Sequence, residues 1–391
     1  MLKITLGKGE DRRIRSGHPW VFSNEIRELQ GDRQPGCAAE IYDAGGSFVG
    51  TGYYNSRSLI AVRLLSRERV DIDTAAFFRE RLEKAFAYRR ELYPEMTTYR
   101  LVHGEGDLLP GLVVDRYGDW LAVQFLTCGM DVRRELVTTA LVELFAPKGI
   151  IARNDVAVRG LEGLAETVEL LYGEIPDVME MEEHGLRFRV NLREGQKTGH
   201  FLDQKENHRL LERLAPGKEV LDCFSYSGSW GIHAARYGAT RTTCLDISER
   251  AMTLARENGK LNGVAERMVF ETVDVFDRLR SLKTEGHSFD IIVLDPPAFV
   301  KSRKTLKEAE KGYLTINRRA MELLRPGGHL ITCSCSYHMG REMFHDLLKT
   351  AAIQARREMR IVEVRSQAPD HPVLLAVPET EYLKCFVLQA V

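Results

Sequence analysis

The chain has 391 residues, 44% of them hydrophobic and 28% charged, and its 55 Lys and Arg nearly balance 56 Asp and Glu to a net charge of −1. This length and composition exclude a disordered, collagen-like or small disulfide-scaffold protein and leave room for two or three domains, each with its own core. No run approaches the ~18 apolar residues of a membrane helix, and no export signal is read at the N-terminus. The seven cysteines (Cys37, Cys128, Cys223, Cys244, Cys333, Cys335, Cys385) show neither CxxC pairs nor zinc spacing, so a cytoplasmic protein without a metal site or a membrane partner is expected.

Neutrality does not hold for the parts. Residues 1–70 contain eleven Lys or Arg and eight Asp or Glu, a balance of +3, which leaves −4 for the remainder. These first residues read as short strands punctuated by Gly31, Gly36, Gly45, Gly46, Gly50 and Gly52, a small β-barrel or sandwich. Alternation of Ile60, Val62 and Leu64 with Ala61, Arg63 and Leu65 predicts a half-buried strand. A helix follows, because Phe78, Leu82, Ala85, Phe86 and Arg89 recur at spacings of three and four, with Asp73 or Thr74 as its cap and Pro94 beyond its end. Two apolar runs flanking Arg116-Tyr117-Gly118-Asp119 predict a hairpin. Residues 132–145 read as helix, and 168–172 and 186–192 as strands, giving an α+β module.

From about residue 200 strands and helices alternate. Strands are expected at Glu219–Phe224, Thr242–Asp246, Met268–Val273, Asp290–Leu294, His329–Cys333, Arg360–Val364 and Lys384–Ala390, with helices notably at Glu249–Leu261, Leu306–Leu324 and Arg341–Arg357. The pattern predicts an α/β fold built on a seven-stranded, doubly wound sheet whose last strand enters as a hairpin. Ligands of such sheets lie beyond the carboxyl ends of the strands.

After the first of these strands, the candidate residues are Phe224, Tyr226, Ser227 and Gly228, where Gly228 and Gly231 let the backbone turn tightly into a helix N-terminus. This loop is not GxGxxG and, alone, reads as an ordinary turn. The next loops add Asp246, Ile247 and Ser248, then Asp274, Val275 and Phe276. Asp246 stands eighteen residues after Gly228, where an acid can accept both ribose hydroxyls. Asp222, Asp246 and Asp274 at three successive strand ends would repel a pyrophosphate but suit a cationic cofactor, which favours S-adenosylmethionine over NAD or ATP. The fourth strand ends in Asp295, Pro296, Pro297 and Phe299, a rigid loop with free acceptors for a base amine and an aromatic ring that can stack on a base.

The fifth strand ends in Cys333-Ser334-Cys335-Ser336. Period two points both cysteines one way; Cys333 reads as a small buried residue and Cys335, nearer the rim, as a candidate thiolate. Carbon 5 of cytosine is too weak a nucleophile to take a methyl group until a cysteine adds to carbon 6. Asp295 beside the ring would support that addition. An amine methyltransferase would need the Asp295–Phe299 loop but not Cys335, and a non-catalytic RNA-binding or assembly factor would need neither; both alternatives stay open on these residues.

The motifs GHPWVFSNEI, RLVHGEGDLLPGLVVDRYGD, EEHGLRF (182–188), GQKTGHFLDQKENHR (195–209), DCFSYSG, LDPPAF and SCS resemble the large-subunit rRNA cytosine carbon-5 methyltransferases of the RlmI type over nearly the whole chain. The resemblance implies a PUA-like RNA-binding domain at 1–71, a central α+β domain at 72–190 and a class I, Rossmann-like methyltransferase domain at 191–391. It also implies Cys335 as the single nucleophile, since Pro297 and Ala298 stand where another cytosine-methyltransferase group carries a second cysteine. Lys197, Phe201 and Asp203 are implied to close over the methyl donor. Lys205 and His208 stand where the family more often has arginines, which leaves the partner of the donor's carboxylate open, with Arg209 the candidate. The implied partner is large-subunit rRNA, held through the +3 segment by salt-dependent phosphate contacts; a homodimer is left open.

Overall fold

The structure is a computed structural model that describes residues 1–299 and 306–391, so the LDPPAF segment is described through Phe299. It divides into two compact units: Met1–Met181 with Val190–Leu202 and Pro369–Thr380, and Glu182–Arg189 with Asp203–Ala368 and Glu381–Val391.

The first unit holds two sheets. Strands β1 (Leu2–Leu6), β2 (Trp20–Val21), β3 (Ile26–Gln30), β4 (Ala38–Tyr42), β5 (Phe48–Tyr54) and β6 (Val62–Ser66) are ordered β2-β6-β5-β4-β1-β3. Strands β7 (Thr98–His103), β8 (Leu112–Tyr117), β9 (Trp120–Phe125), β10 (Gly149–Arg153) and β11 (Val168–Gly173) are ordered β11-β10-β9-β8-β7. Helix α1 (Ala75–Leu92) starts where expected, with the Thr74 hydroxyl accepting from the Phe77 N–H at 3.3 Å. Arg89 lies on its apolar stripe and is fully buried because its guanidinium pairs with Asp107 and donates to the carbonyls of Arg100 and Asp370.

Strand β6 departs from its half-buried expectation. Val62 and Leu64 enter the core of the first sheet, Leu65 enters a second core shared with α1 and β7–β9, and Arg63 is buried on Glu162 at 2.9 Å. With both faces covered, period-two alternation of polarity loses its meaning. The basic cluster is partly neutralised in place: Arg13 reaches Glu25 at 2.8 Å and Arg15 reaches Asp43 at 2.7 Å, while Lys8 and Arg12 stay exposed.

Strands β12 (Met179–Glu183) and β13 (Leu186–Val190) form a two-stranded ladder. Its two-residue turn uses positive φ at His184 and Gly185, the type I′ hairpin geometry.

The second unit carries β14 (Glu219–Cys223), β15 (Arg241–Asp246), β16 (Met268–Thr272), β17 (Phe289–Leu294), β18 (Leu324–Ser334), β19 (Met359–Arg365) and β20 (Lys384–Ala390), ordered β16-β15-β14-β17-β18-β20-β19. Strands β14 to β18 pair in parallel, and β20 pairs antiparallel with both β18 and β19. Apolar residues on both sheet faces explain this. Leu221, Leu245 and Ile292 pack on one side, with helices α4 (Val275–Thr284), α5 (Leu306–Leu323) and α6 (Arg341–Ala355); Val220, Ile291 and Val293 pack on the other, with α2 (Ser229–Arg236). The strand order reverses between β14 and β17, which makes the loops after these two strands the borders of a ligand crevice.

Candidate functional site

The loop after β14 is a run of unusual backbone. Phe224, Tyr226 and Gly228 have φ of +64°, +47° and +81°, a region in which the two side-chain-bearing residues are strained. The loop is locked by Ser225 N–H on Leu245 O at 3.0 Å and by Gly228 N–H on Ser225 O at 2.8 Å. Gly231 is needed for packing: a Cβ there would lie 2.4 Å from the Cys244 sulfur.

Asp246, at the end of β15, ties this loop to the next. Its Oδ2 accepts from the Tyr226 N–H at 3.0 Å and its Oδ1 from the Ser248 N–H at 2.9 Å. Ser248 caps helix α3 (Glu249–Leu261), and Ile247, between Asp246 and Ser248, is 71% exposed. Asp274 caps α4 through the Asp277 N–H at 3.0 Å and is exposed, Val275 enters the core, and Phe276 is half-buried. Asp222 differs from the expected trio of outward acids. Its carboxyl is fully buried under the loop, accepts from the Gly231 N–H at 3.0 Å, and is pushed up to about 7 by burial. Two acids, not three, therefore face outward at these strand ends.

On the other side of the crevice, Asp295 follows β17. Trp230 Nε1–H donates to its Oδ2 at 3.1 Å, yet burial outweighs this bond and raises its pKa, with Asp203 adding repulsion. Asp203 is itself buried and accepts from the Tyr382 hydroxyl at 2.7 Å. Pro296 is buried and Pro297 exposed. Phe299 sits in an aromatic group with Tyr313 at 4.7 Å, Phe276 at 6.0 Å and Phe224 at 6.2 Å between centroids. Phe276, Pro297 and Phe299, with Gly312, line a cavity of about 540 Å³.

At the end of β18 the two cysteines part company. Cys333 is fully buried, and burial holds its thiol well up. Cys335 is half-buried at the edge of the same apolar cluster, while Ser334 turns to the opposite face and meets the Tyr313 hydroxyl at 3.1 Å. Tyr313 also lies 3.1 Å from the Ser336 hydroxyl, so one phenol pins both neighbours of Cys335. Lys384, opposite Ser334 in the β18–β20 ladder, donates from Nζ to Ser336 O at 2.7 Å and Tyr382 O at 2.8 Å. Sequence reasoning passed over Tyr313 and Lys384; the available signal was a lone lysine opening an otherwise apolar strand.

The remaining residues lie elsewhere. Lys197 and Phe201 belong to the first unit, where the Lys197 ammonium sits 4.3 Å from the Phe201 ring centroid. Arg209 has a 48% exposed side chain turned to Glu212 at 3.1 Å and Glu206 at 3.8 Å. His208 is buried on Glu183 at 2.5 Å, with His233 beside them and Trp230 edge-on at 4.7 Å. Glu183, His208 and His233 have a metal-compatible donor set. The 2.5 Å separation is however that of a shared proton; two ligands each about 2.1 Å from a zinc ion stand farther apart.

The arrangement is that of a class I methyltransferase domain. A family model described as S-adenosylmethionine-dependent methyltransferase matches residues 100–385, and one described as a PUA-like domain matches residues 4–67. Two solved structures share the fold over the full length of both chains: a SAM-dependent methyltransferase from Streptococcus mutans (TM-score 0.85, 24% identity) and a methyltransferase complexed with SAH (TM-score 0.87, 23% identity). The protein is thus an S-adenosylmethionine-dependent methyltransferase with a PUA-like domain.

Relatives of matching length narrow this further. A protein of Aeromonas salmonicida called Ribosomal RNA large subunit methyltransferase I is 41% identical over 394 residues, covering 99% of each chain. A namesake from Shewanella denitrificans is 40% identical over 391 residues, covering 99% of this chain and 98% of its own. The chain belongs to the ribosomal RNA large subunit methyltransferase I family. Among the described residues no helix is long and apolar enough to cross a membrane.

Proposed function

We propose that the protein methylates carbon 5 of a cytosine in large-subunit rRNA through a covalent adduct with Cys335. The observation that carries this reading is the contrast at the end of β18: Cys333 is sealed in the core, whereas Cys335 is half-buried at the rim, one strand over from Asp295. The names of the full-length relatives support rRNA as the substrate class.

The donor-side residues fit S-adenosylmethionine. An ionised carboxylate offers about four acceptor positions, and the two backbone N–H groups on Asp246 leave the others for a ribose diol. The half-buried Phe276 and exposed Ile247 supply apolar surface for an adenine. When bound, the cofactor supplies an electrophilic methyl group.

The protein's own groups do the rest. Cys335 Sγ adds to carbon 6 of the cytosine, and carbon 5 becomes nucleophilic enough to accept the methyl group. Asp295, whose burial favours its protonated form, sits where it can hydrogen-bond the ring nitrogen and stabilise the adduct. A base then takes the carbon 5 proton, the C–H electron pair re-forms the ring double bond, and the thiolate is expelled, which restores aromaticity and frees Cys335. Pro296 and Pro297 stiffen the loop that presents Asp295 and Phe299, and the target base must be unpaired or flipped out to reach it.

Bisulfite mapping of rRNA from cells with and without the gene tests the assignment. One cytosine losing protection in the deletion strain is the expected result. An unchanged map would refute it.

A further inference from the structure

We infer that Lys384 is a positioning residue of the reaction, its ammonium holding the Cys335 side chain as the thiolate. This rests on the reading of Cys335 as nucleophile. Lys384 opens β20, where Cys385, Phe386, Val387 and Leu388 are buried, and is itself only 4% exposed. A buried ammonium is costly unless charge and hydrogen bonds compensate it. The carbonyls of Ser336 and Tyr382 take two of its three N–H donors. Both acceptors are neutral, so they solvate the charge without cancelling it.

Ser336 is the residue after Cys335, so Nζ is held one residue along the chain from the thiol, and the two groups interact electrostatically. Among the described residues, Glu381, Arg341 and Tyr313 are the other ionisable groups that act on the pair. Glu381 and Arg341 form an ion pair with each other. Tyr313, facing from α5, is pushed up to about 12 by burial and stays neutral. Burial brings Lys384 down to about 8, near the range of an ordinary thiol (~8.5). In its neutral form the amine takes the thiol proton: the S–H bond breaks, its electron pair stays on sulfur, and Nζ gains the proton, which leaves ammonium and thiolate facing each other. The sulfur loses its charge on adding to carbon 6 and regains it on elimination, when it returns to the ammonium. Cys333 is paired across the ladder with Cys385, not with a lysine.

The test is the rate of iodoacetamide alkylation of Cys335 as a function of pH in the full-length protein, read by peptide mass spectrometry with the other cysteines as internal controls. In the wild type the Cys335 midpoint is expected well below ~8.5. In Lys384→Gln it should rise by about one unit, a tenfold change in thiolate fraction below the midpoint, and Lys384→Arg should restore it. Equal midpoints in wild type and Lys384→Gln would overturn the proposal. Should Lys384→Gln fail to fold, the wild type alone decides, because a midpoint at or above the ordinary value contradicts a stabilised thiolate. The assay uses no RNA, so a Cys335→Ala protein that still methylates would sink the nucleophile reading without touching this pairing.

Discussion

The two borders of the crevice use their acids in opposite ways. On the β14–β15 side, Asp246 and Asp274 are engaged by backbone N–H groups and act as ties and caps. On the β17–β18 side, Asp295 and Lys384 are held by burial away from their ordinary ionisation, one raised and one lowered. The first border fixes shape and the second sets protonation. A substitution on the first should therefore change binding or stability, and one on the second should change the chemical step.

The sharpest break in this comparison is Cys335→Ala, which should lower methylation by at least ~10³-fold while leaving S-adenosylmethionine affinity by calorimetry unchanged. Cys333→Ala, one pleat deeper, should keep its activity and lose stability by about 1 kcal/mol, read as a small drop in Tm. On the shape-setting side, Gly231→Ala forces a Cβ to 2.4 Å from the Cys244 sulfur. It should cost about 1–3 kcal/mol in thermal unfolding, the usual penalty of overpacking.

Asp246→Asn removes a charge-assisted acceptor and should weaken the donor by roughly tenfold, about 1.5 kcal/mol. Calorimetry showing unchanged affinity would remove Asp246 from the donor site. Asp222 gives a pH signature. Its folded pKa, about 7, lies above the ordinary aspartate value of 3.8, so between these values the native state binds more protons than the unfolded one. Stability from this group is present below about pH 4 and is lost as pH rises toward 7. Asp222→Asn should flatten that slope in denaturant titrations. The smallest effect is expected from Arg209→Ala, since an exposed guanidinium paired with surface glutamates contributes roughly 0–1 kcal/mol. A large loss of donor affinity would instead assign Arg209 the donor's carboxylate.

The seven-stranded sheet was legible because each strand is an apolar run followed by a polar or glycine-bearing loop, and Asp246, Asp295 and Cys335 could be picked out as the residues on which those runs end. What escaped depends on contacts distant in sequence. MEMEE did not read as a strand because Glu180 and Glu182 dominate its composition; only pairing with β13 shows Met179, Met181 and Glu183 buried along one face. Arg63 read as a polar position, and it is buried because Glu162 comes from another element; the place of Arg89 on the apolar stripe was legible, but not the Asp107 that pairs with it. Asp222 ends a strand like Asp246, but the helix that follows folds back and covers it. Lys384 stands nearly fifty residues from Cys335 in the chain, and antiparallel pairing of β20 with β18 brings them to one rim.

The central claim, a covalent cysteine mechanism, is tested most directly by incubating the protein and S-adenosylmethionine with large-subunit rRNA carrying 5-fluorocytosine. Carbon 5 then holds no removable proton and the adduct cannot eliminate. The account predicts a denaturation-resistant protein–RNA complex whose cross-linked peptide contains Cys335 and which Cys335→Ala does not form. Full methylation of ordinary rRNA by Cys335→Ala, with no trapped complex from the wild type, would contradict it.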